Sequence, residues 1–256
     1  MPGSDGPGIF YCTYIIAVSG MTQGDIKAAK TTNVAGSGTF MHKKSDDLKP
    51  DHTLLYQTHS PFARKVLVFA LECGLGDRIE VVHHETSPTN RNAAIFAANP
   101  LGKVPVLILP DGMTLYDSMV ICDYLDRLHR GRKLIPHKAP KRWHALRLHA
   151  LAQGMCDAGV LYRWETNRRP QELRYPPLAD GQKAKLIETF DHLETALDPK
   201  TPVTIGHIAL ATGLDWIAFR ELIDFQTGRP RLAKWYEDFC ARDSMVKTRF
   251  SGQTHD

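Results

Sequence analysis

Residues 99–126, NPLGKVPVLILPDGMTLYDSMVICDYLD, decide the predicted fold of this chain. VPVLIL and MTLYD are apolar enough for strands, and the PDG between them favours a tight turn, so the pair predicts an antiparallel hairpin. The following SMVICDYLDRL has the apolar spacing of a helix. This stretch therefore predicts the closing strand–strand–helix of a sheet-forming unit.

The sequence upstream supplies the rest of that sheet. TLLYQ predicts a strand that leads into the helix THSPFARKVLVFALECGLG, with Pro61 suited to its first turn and Gly74 to its end. IEVVHHE predicts a second strand, and NRNAAIFAAN predicts a short helix. The resulting α/β order, βαβαββα, implies a mixed sheet, because the first crossover is parallel whereas the PDG turn makes an antiparallel pair.

The sequence downstream contains no convincing strand. After the polar link HRGRKLIPHKAP, helical patterns run over residues 141–167, 178–197, 204–225 and 230–242. We therefore divide the chain into an α/β domain at 51–131, a linker at 132–140 and an all-helical domain at 141–250. Residues 1–50, rich in Gly, Ser, Thr and Lys, are expected to form a disordered extension, with Met41 as an alternative start of the chain.

Cysteine usage and charge narrow the class of protein. The five cysteines form no CxxC pair or short Cys/His cluster, so we expect neither a disulfide framework nor a metal site, and a reducing cytoplasm fits best. The apolar run at 9–20 is too short to span a membrane, and no basic residue precedes it as in a secretory signal.

Residues 127–174 hold twelve Lys and Arg against three Asp and Glu. This excess suits a solvated surface or one that attracts small anions, and no nucleic-acid-binding motif accompanies it.

Two features of the predicted sheet edge indicate a peptide-like ligand. Pro105 opens the third strand and is best placed as a cis peptide, which would leave the backbone of Val104 to pair with an extended ligand. Asp117 and Ser118 stand between the fourth strand and a helix. There Ser118 and the amides of the first turn can bind a carboxylate, and Asp117 suits an α-amino group. The alternatives are an ordinary trans proline and a simple helix N-cap.

Ser60 is the candidate for the chemistry itself. It precedes Pro61 at the start of the first helix, where its hydroxyl and the helix N-terminus both favour an anion such as a thiolate. A plain N-cap role is compatible with this function. Thr58 is a rival hydroxyl in the same turn, whereas Tyr56 is expected to pack within its strand.

The segments THSPFARKV, NPLGKVPVL and LYDSMVICDYLD, in this order before a helical domain, resemble the cytosolic glutathione S-transferase superfamily over residues 53–250. The resemblance is closest to bacterial members with Ser in an S-P-F-x-R-K motif. It implies a thioredoxin-like first domain, a cytoplasmic homodimer, and conjugation of the thiol of glutathione, as co-substrate, to a small hydrophobic electrophile. From the cysteine and histidine spacing, the missing nucleic-acid motifs and the short apolar run, we expect no metal, nucleic acid or membrane partner.

The resemblance also implies a role for each matching position. Ser60 would assist the glutathione thiol, and Lys103 would lie near the glycyl end. Val104 with Pro105 would make the backbone contacts, and Asp117 with Ser118 would hold the γ-glutamyl group. Members usually have Glu where Asp117 stands, so the shorter side chain is expected to weaken or relocate that contact.

The helical domain offers weaker candidates. Met155 and Tyr162 are candidates for the electrophile pocket, with a role in the amphipathic core as the alternative. VTIGHIALATGLDWIAFR resembles the buried helix of the same superfamily: Thr204 keeps the capping residue, but His207 replaces the acid of the capping box. A protonated His207 at a helix N-terminus predicts a loss of stability at acidic pH on the order of 1 kcal/mol.

Other functions of the same fold are kept as alternatives. A glutathione-dependent peroxidase, lyase or isomerase would use the same thiolate. A non-catalytic scaffold that binds a protein partner would use the fold without the chemistry, because fold does not dictate function.

Overall fold

The computed structural model describes residues 49–251. These residues begin with a four-stranded sheet made of β1 (His52–Tyr56), β2 (Ile79–His83), β3 (Val106–Ile108) and β4 (Thr114–Leu115). Three helices connect and follow the strands: α1 (Pro61–Glu72), α2 (Ala93–Ala98) and α3 (Ser118–Leu128). The predicted βαβαββα order is confirmed.

The sheet is mixed, as the connections predict. Its strand order is β2-β1-β3-β4, with β1 parallel to β2 and antiparallel to β3, and with β3 antiparallel to β4. The parallel pairing of β1 with β2 follows from the α1 crossover. The antiparallel pairing of β3 with β4 follows from the tight turn at Gly112, whose φ of 87° is accessible to glycine.

The two faces of the sheet pack against different layers. Because side chains alternate along a strand, Leu54 and Leu107 join the main core with α1 and α3, whereas Leu55 and Val106 pack on the other face with Ile95 of α2. The main core continues without interruption into the helical part of the chain.

The helical part consists of α4 (Lys141–Arg163), a π-helical turn (Trp164–Arg168), α5 (Pro176–Ala196), α6 (Ile205–Phe219), α7 (Pro230–Cys240) and α8 (Asp243–Lys247). Among these, α6 is buried on nearly all sides. That burial matches its sequence, in which IGHIALATGLDWIAF carries a single formal charge at Asp215. No helix within residues 49–251 combines the length and apolar character that a membrane crossing needs.

Two buried cations of α1 attach the sheet to the helices. Arg64, 1% exposed, forms an ion pair with Asp215 of α6 and donates to the carbonyl of Met245 at 3.2 Å. Lys65, 2% exposed, donates from Nζ to Gln153 Oε1 of α4 at 2.9 Å and lies 3.0 Å from His149 Nε2. The basic pair of the S-P-F-x-R-K motif therefore has a structural role.

The helical part differs from the sequence prediction at the end of α6 and in one additional helix. α6 ends at Phe219 rather than near residue 225, because Glu221 adopts a φ of 51° and Asp224 accepts from the amides of Gln226 and Thr227 in a local turn. The short helix α8 was not predicted. The proposed extension at residues 1–50 lies almost entirely outside the described residues.

Candidate functional site

A cleft of about 750 Å³ lies between the sheet part and the helical part. On the sheet side it is lined by the start of α1, the segment after β2, and the residues that lead into β3; on the other side, which we call the helical wall, it is lined by α4, the π-helical turn and α6. The lining residues are Gln57, His59, Ser60, Pro61, Phe62, Thr86, Ser87, Pro88, Arg91, Phe96, Leu101, Gly102, Lys103, Val104, Asp157, Val160, Leu161, Arg163, Trp164, Trp216 and Arg220.

Ser60 opens α1 at this cleft. Its Oγ accepts from the amide of Ala63 at 3.2 Å, and Pro61 occupies the first helical position, so Ser60 is the N-cap. Accepting this bond leaves the hydroxyl proton available to a ligand, because a serine hydroxyl is both donor and acceptor. The rival Thr58 instead bonds His83 Nδ1 through Oγ1 at 3.0 Å and is not among the lining residues.

Tyr56, the other hydroxyl near the first helix, is packed in the core. It is 5% exposed, and burial raises the pKa of its phenol to about 12. Tyr56 therefore fills the core, as the sequence indicated.

The backbone before β3 is held in a defined conformation at the cleft. The Val104–Pro105 peptide is cis, as predicted. Asn99 donates from Nδ2 to the carbonyl of Lys103 at 2.9 Å, and Thr86 donates from Oγ1 to the carbonyl of Gly102 at 3.1 Å. Lys103 and Val104 both line the cleft, so one face of this segment is available to an extended ligand.

At the start of α3 the structure has a helix N-cap, which is the alternative considered for Asp117 and Ser118. Asp117, not Ser118, is the N-cap of α3: its Oδ1 accepts from the amide of Met119 at 3.0 Å and from that of Val120 at 3.4 Å. These are the first-turn amides that were expected to bind a ligand carboxylate. Asp117 is exposed and Ser118 is 2% exposed, and neither is among the residues that line the cleft.

The helical wall is formed by different residues from those predicted. Met155 is 2% exposed and packs in the main core, which is the alternative role considered for it, and neither Met155 nor Tyr162 lines the cleft. The wall instead presents Val160, Leu161 and Trp164, near the point where α4 gives way to the π-helical turn. A π-helical turn shifts the phase of the side chains, which 3.6-residue periodicity does not anticipate.

The buried cysteines near the cleft are poor nucleophiles. Burial raises the pKa of the Cys122 and Cys156 thiols to about 12, although the Lys65 ammonium opposes this shift. Burial also lowers the pKa of Lys65, and it lowers the pKa of His149 to about 4. Since no cysteine within residues 49–251 lines the cleft, a thiolate from this part of the chain is not available there, and a ligand would supply it.

One cluster outside the cleft has the residue types of a metal site. Cys73, Asp126 and His129 each offer one ligand atom within 4.8 Å of the others. The Asp126 carboxylate, however, accepts from the amides of Leu134 and Ile135 and bonds His129 Nε2 at 3.0 Å. Asp126 therefore holds the segment after α3 against the core.

Comparison with known proteins identifies the family. Residues 59–128 match the glutathione S-transferase N-terminal domain, and residues 176–238 match the glutathione S-transferase C-terminal domain. The chain is 38% identical to a glutathione transferase family member from Pseudomonas fluorescens Pf-5, whose crystal structure contains bound glutathione. That match covers 78% of this chain and 100% of the other, with a TM-score of 0.75.

Two curated proteins, one a glutathione S-transferase and one described as GST-like, are also similar in sequence to this chain. Glutathione S-transferase omega-1 of Sus scrofa is 33% identical over 182 residues, which cover 68% of this chain and 70% of that protein. The uncharacterized GST-like protein YibF of Escherichia coli (strain K12) is 29% identical over 194 residues, which cover 74% and 94% of the two chains. On these matches and on its fold, the chain belongs to the glutathione S-transferase family.

Proposed function

We propose that this protein conjugates the thiol of glutathione to an electrophile in the cleft. The observation that carries the proposal is the placement of Ser60, Lys103 and Val104 on one cleft, with Ser60 at the N-terminus of α1 and Val104 before a cis proline. The bound glutathione in the P. fluorescens relative supports glutathione as the co-substrate. We further propose that the chain groups with bacterial members that carry Ser in the S-P-F-x-R-K motif, which Ser60 supports.

The free energy that thiolate formation requires can be compared with what the Ser60 hydroxyl and the N-terminus of α1 contribute. A thiol with a pKa near ~8.5 is mostly protonated at neutral pH, and lowering that pKa by about two units requires about 2.7 kcal/mol. A hydrogen bond from the Ser60 hydroxyl to a charged sulfur contributes about 1.5 to 3 kcal/mol, and the helix dipole adds about 0.3 to 1. The two contributions together span about 1.8 to 4 kcal/mol, which brackets the requirement, so Ser60 and the N-terminus of α1 can account for activation between them.

The rest of glutathione would extend along the sheet edge. Val104 would pair with its backbone, and Lys103 would face the glycyl carboxylate. Arg91, which the sequence analysis did not single out, lines the same side and suits the same carboxylate. Asp117 and Ser118 would reach the γ-glutamyl group from the start of α3, with Asp117 receiving the ammonium.

We further propose a cytoplasmic homodimer with domains at 51–131 and 141–250.

One observation favours the non-catalytic scaffold as a second candidate. The Asp117 carboxylate is already bonded to two amides of α3, which reduces what it can offer a γ-glutamyl group. Retention of the folded protein on a glutathione-affinity resin separates the two candidates, because a scaffold without the site would flow through.

The decisive experiment measures the thiol pKa of bound glutathione. Thiolate absorbance is followed across pH for the wild type and for Ser60→Ala, with Thr58→Val as the matched control. We expect a pKa about two units below that of the free thiol in the wild type and in Thr58→Val, and loss of most of this shift in Ser60→Ala. An unshifted thiol in the wild type would show that Ser60 acts only as a helix cap.

A further inference from the structure

His59, the residue directly before Ser60, is buried although it lines the cleft. Its side chain and backbone together are 8% exposed. Histidine is only intermediate in its tendency to be buried, so a nearly complete burial at a ligand cleft needs a physical cause. The contacts of His59 with the helical part of the chain supply that cause.

The peptide between His59 and Ser60 is bonded at both of its polar groups. The carbonyl oxygen of His59 accepts a hydrogen bond from Nε1 of Trp216 on α6, at 3.0 Å and in a buried position. The amide of Ser60 donates to the carbonyl of Gln57 at 3.0 Å. Because a peptide is planar, these two bonds fix its rotation and hence the direction in which the chain enters Ser60.

The ring of His59 is held by α6 and by the segment after α8. It stacks on Phe219, with ring centroids 5.0 Å apart and an interplanar angle of 9°. The ring of Phe250 lies 6.5 Å from that of His59 and stacks in turn on Phe219 at 5.1 Å. Nε2 of His59 lies 3.0 Å from the carbonyl oxygen of Ser251, which can only accept, so the imidazole donates. The ring is therefore fixed in an aromatic cluster.

Ser60 itself bonds only within its own turn among the residues that the structure describes. Its Oγ accepts from the amide of Ala63 at 3.2 Å, and its carbonyl accepts from the amide of Arg64 at 3.0 Å. An N-cap makes such bonds wherever the helix lies. They do not determine where the hydroxyl stands relative to the helical wall, whereas the contacts of His59 with α6 do.

We propose that His59 is a positioning residue, held by Trp216 and Phe219 of α6, that directs the Ser60 hydroxyl toward the sulfur of bound glutathione. This inference rests on the proposed function and deepens it. A hydrogen bond weakens steeply when its angle departs from linearity, so a small displacement of Ser60 reduces the stabilisation of the thiolate. His59 acts through Ser60 and does not itself touch the sulfur.

The test measures the thiol pKa of bound glutathione in two variants that release His59. Trp216→Phe keeps an aromatic ring in the core and removes the N–H that holds the carbonyl of His59. His59→Ala keeps that carbonyl and removes the stacked ring. We expect each variant to bind glutathione and to raise its thiol pKa by about one unit above the wild-type value, which is half of the shift assigned to the start of α1.

Two further variants separate positioning from stability. Trp235→Phe makes the same change at a buried tryptophan of α7 that packs in the main core and does not line the cleft, so it should leave the thiol pKa unchanged. His59→Phe keeps the carbonyl and an aromatic ring against Phe219 and should retain most of the wild-type shift. A wild-type thiol pKa in both Trp216→Phe and His59→Ala, or an equal rise in Trp235→Phe, would overturn the inference.

Failure of the proposed function is recognised separately, in a wild type that leaves glutathione unbound or its thiol unshifted. The positioning is then measured on the free protein by amide hydrogen exchange at Ala63, whose N–H is bonded to Ser60 Oγ. After correction for global stability, Trp216→Phe and His59→Ala should speed this exchange by about tenfold, and Trp235→Phe should not. Equal corrected rates in all three variants and the wild type would overturn the positioning role as well.

Discussion

His207 occupies the acid position of a capping box as a neutral acceptor. The amide of Thr204 donates to its Nδ1 at 3.1 Å, and Thr204 Oγ1 lies 2.9 Å from the same atom. Burial lowers the pKa of His207 to about 4, with the Arg132 charge as a second cause. Protonation would remove the acceptor and place a positive charge at the start of α6.

The pH dependence of stability follows from the sign of this shift. The pKa of His207 in the folded protein lies below its unfolded value of about 6.5. The stabilisation that neutral His207 provides is therefore complete above pH ~6.5 and is lost as pH falls toward 4. At pH 5 the loss amounts to about 2 kcal/mol, somewhat more than the sequence suggested.

Urea unfolding of the wild type and of His207→Asp at pH 7 and pH 5 measures this effect. We expect the wild type to lose about 2 kcal/mol more than the variant between these values, because an aspartate accepts the same amide and favours the helix N-terminus. His149, whose pKa burial also lowers to about 4, is present in both proteins and cancels in the comparison. Equal losses in the two proteins would contradict the prediction.

At the scale of elements, close packing between α4 and α6 depends on Gly206. A Cβ added there would stand 2.7 Å from the carbonyl oxygen of Ala145 and 2.8 Å from the Cβ of Leu148, both on α4. Backbone cannot yield to such a contact without moving a helix. The glycine is therefore required by the closeness of the two helices.

Gly206→Ala is predicted to destabilise the protein by about 1 to 3 kcal/mol through overpacking. Gly154→Ala is the matched control, since Gly154 lies on the exposed face of α4 with nothing within 4 Å of its added Cβ. Gly154→Ala should raise the free energy of unfolding by about 0.5 to 1 kcal/mol, because alanine has the higher helix propensity. Thermal unfolding of both variants checks the prediction, and shifts of the same sign would refute it.

At the scale of the whole molecule, the cleft depends on how the sheet part and the helical part are joined. Ser60 stands at the start of α1, and the same helix carries Lys65, which is bonded to Gln153 and lies beside His149 of α4. A buried ammonium that loses an acceptor carries a desolvation penalty. The Lys65–Gln153 contact therefore couples the two walls of the cleft.

A double-mutant cycle tests this coupling. Gln153→Leu should cost about 1 to 3 kcal/mol, because it leaves the Lys65 ammonium with one acceptor fewer. Adding Lys65→Met should recover part of that cost, giving a coupling energy of about 0.5 to 3 kcal/mol in urea unfolding. Strictly additive effects would mean that the two side chains do not interact in the folded protein.

Features that depend on a few neighbouring residues could be predicted from the sequence. The element order, the turn at Gly112 and the N-cap at Ser60 follow from local backbone preferences and short-range hydrogen bonds. The cis Val104–Pro105 peptide was expected from the place of Pro105 before the third strand, but local preference alone would favour the trans isomer. Local chemistry did not separate the two hydroxyls, Thr58 and Ser60, because both lie in one turn and only the fold decides which of them meets the cleft.

The composition of the helical wall and the contacts of the buried cations could not be predicted from the sequence, because both depend on how distant elements pack. Arg163 and Arg220 are 57 positions apart and meet one cleft because α4 and α6 pack closely. Trp164, the first residue of the π-helical turn, lines the same cleft, whereas Met155 of α4 packs in the main core. Arg64 and Lys65, although charged, are both buried against the helices. Such positions depend on the packing of distant elements, which local propensity does not encode.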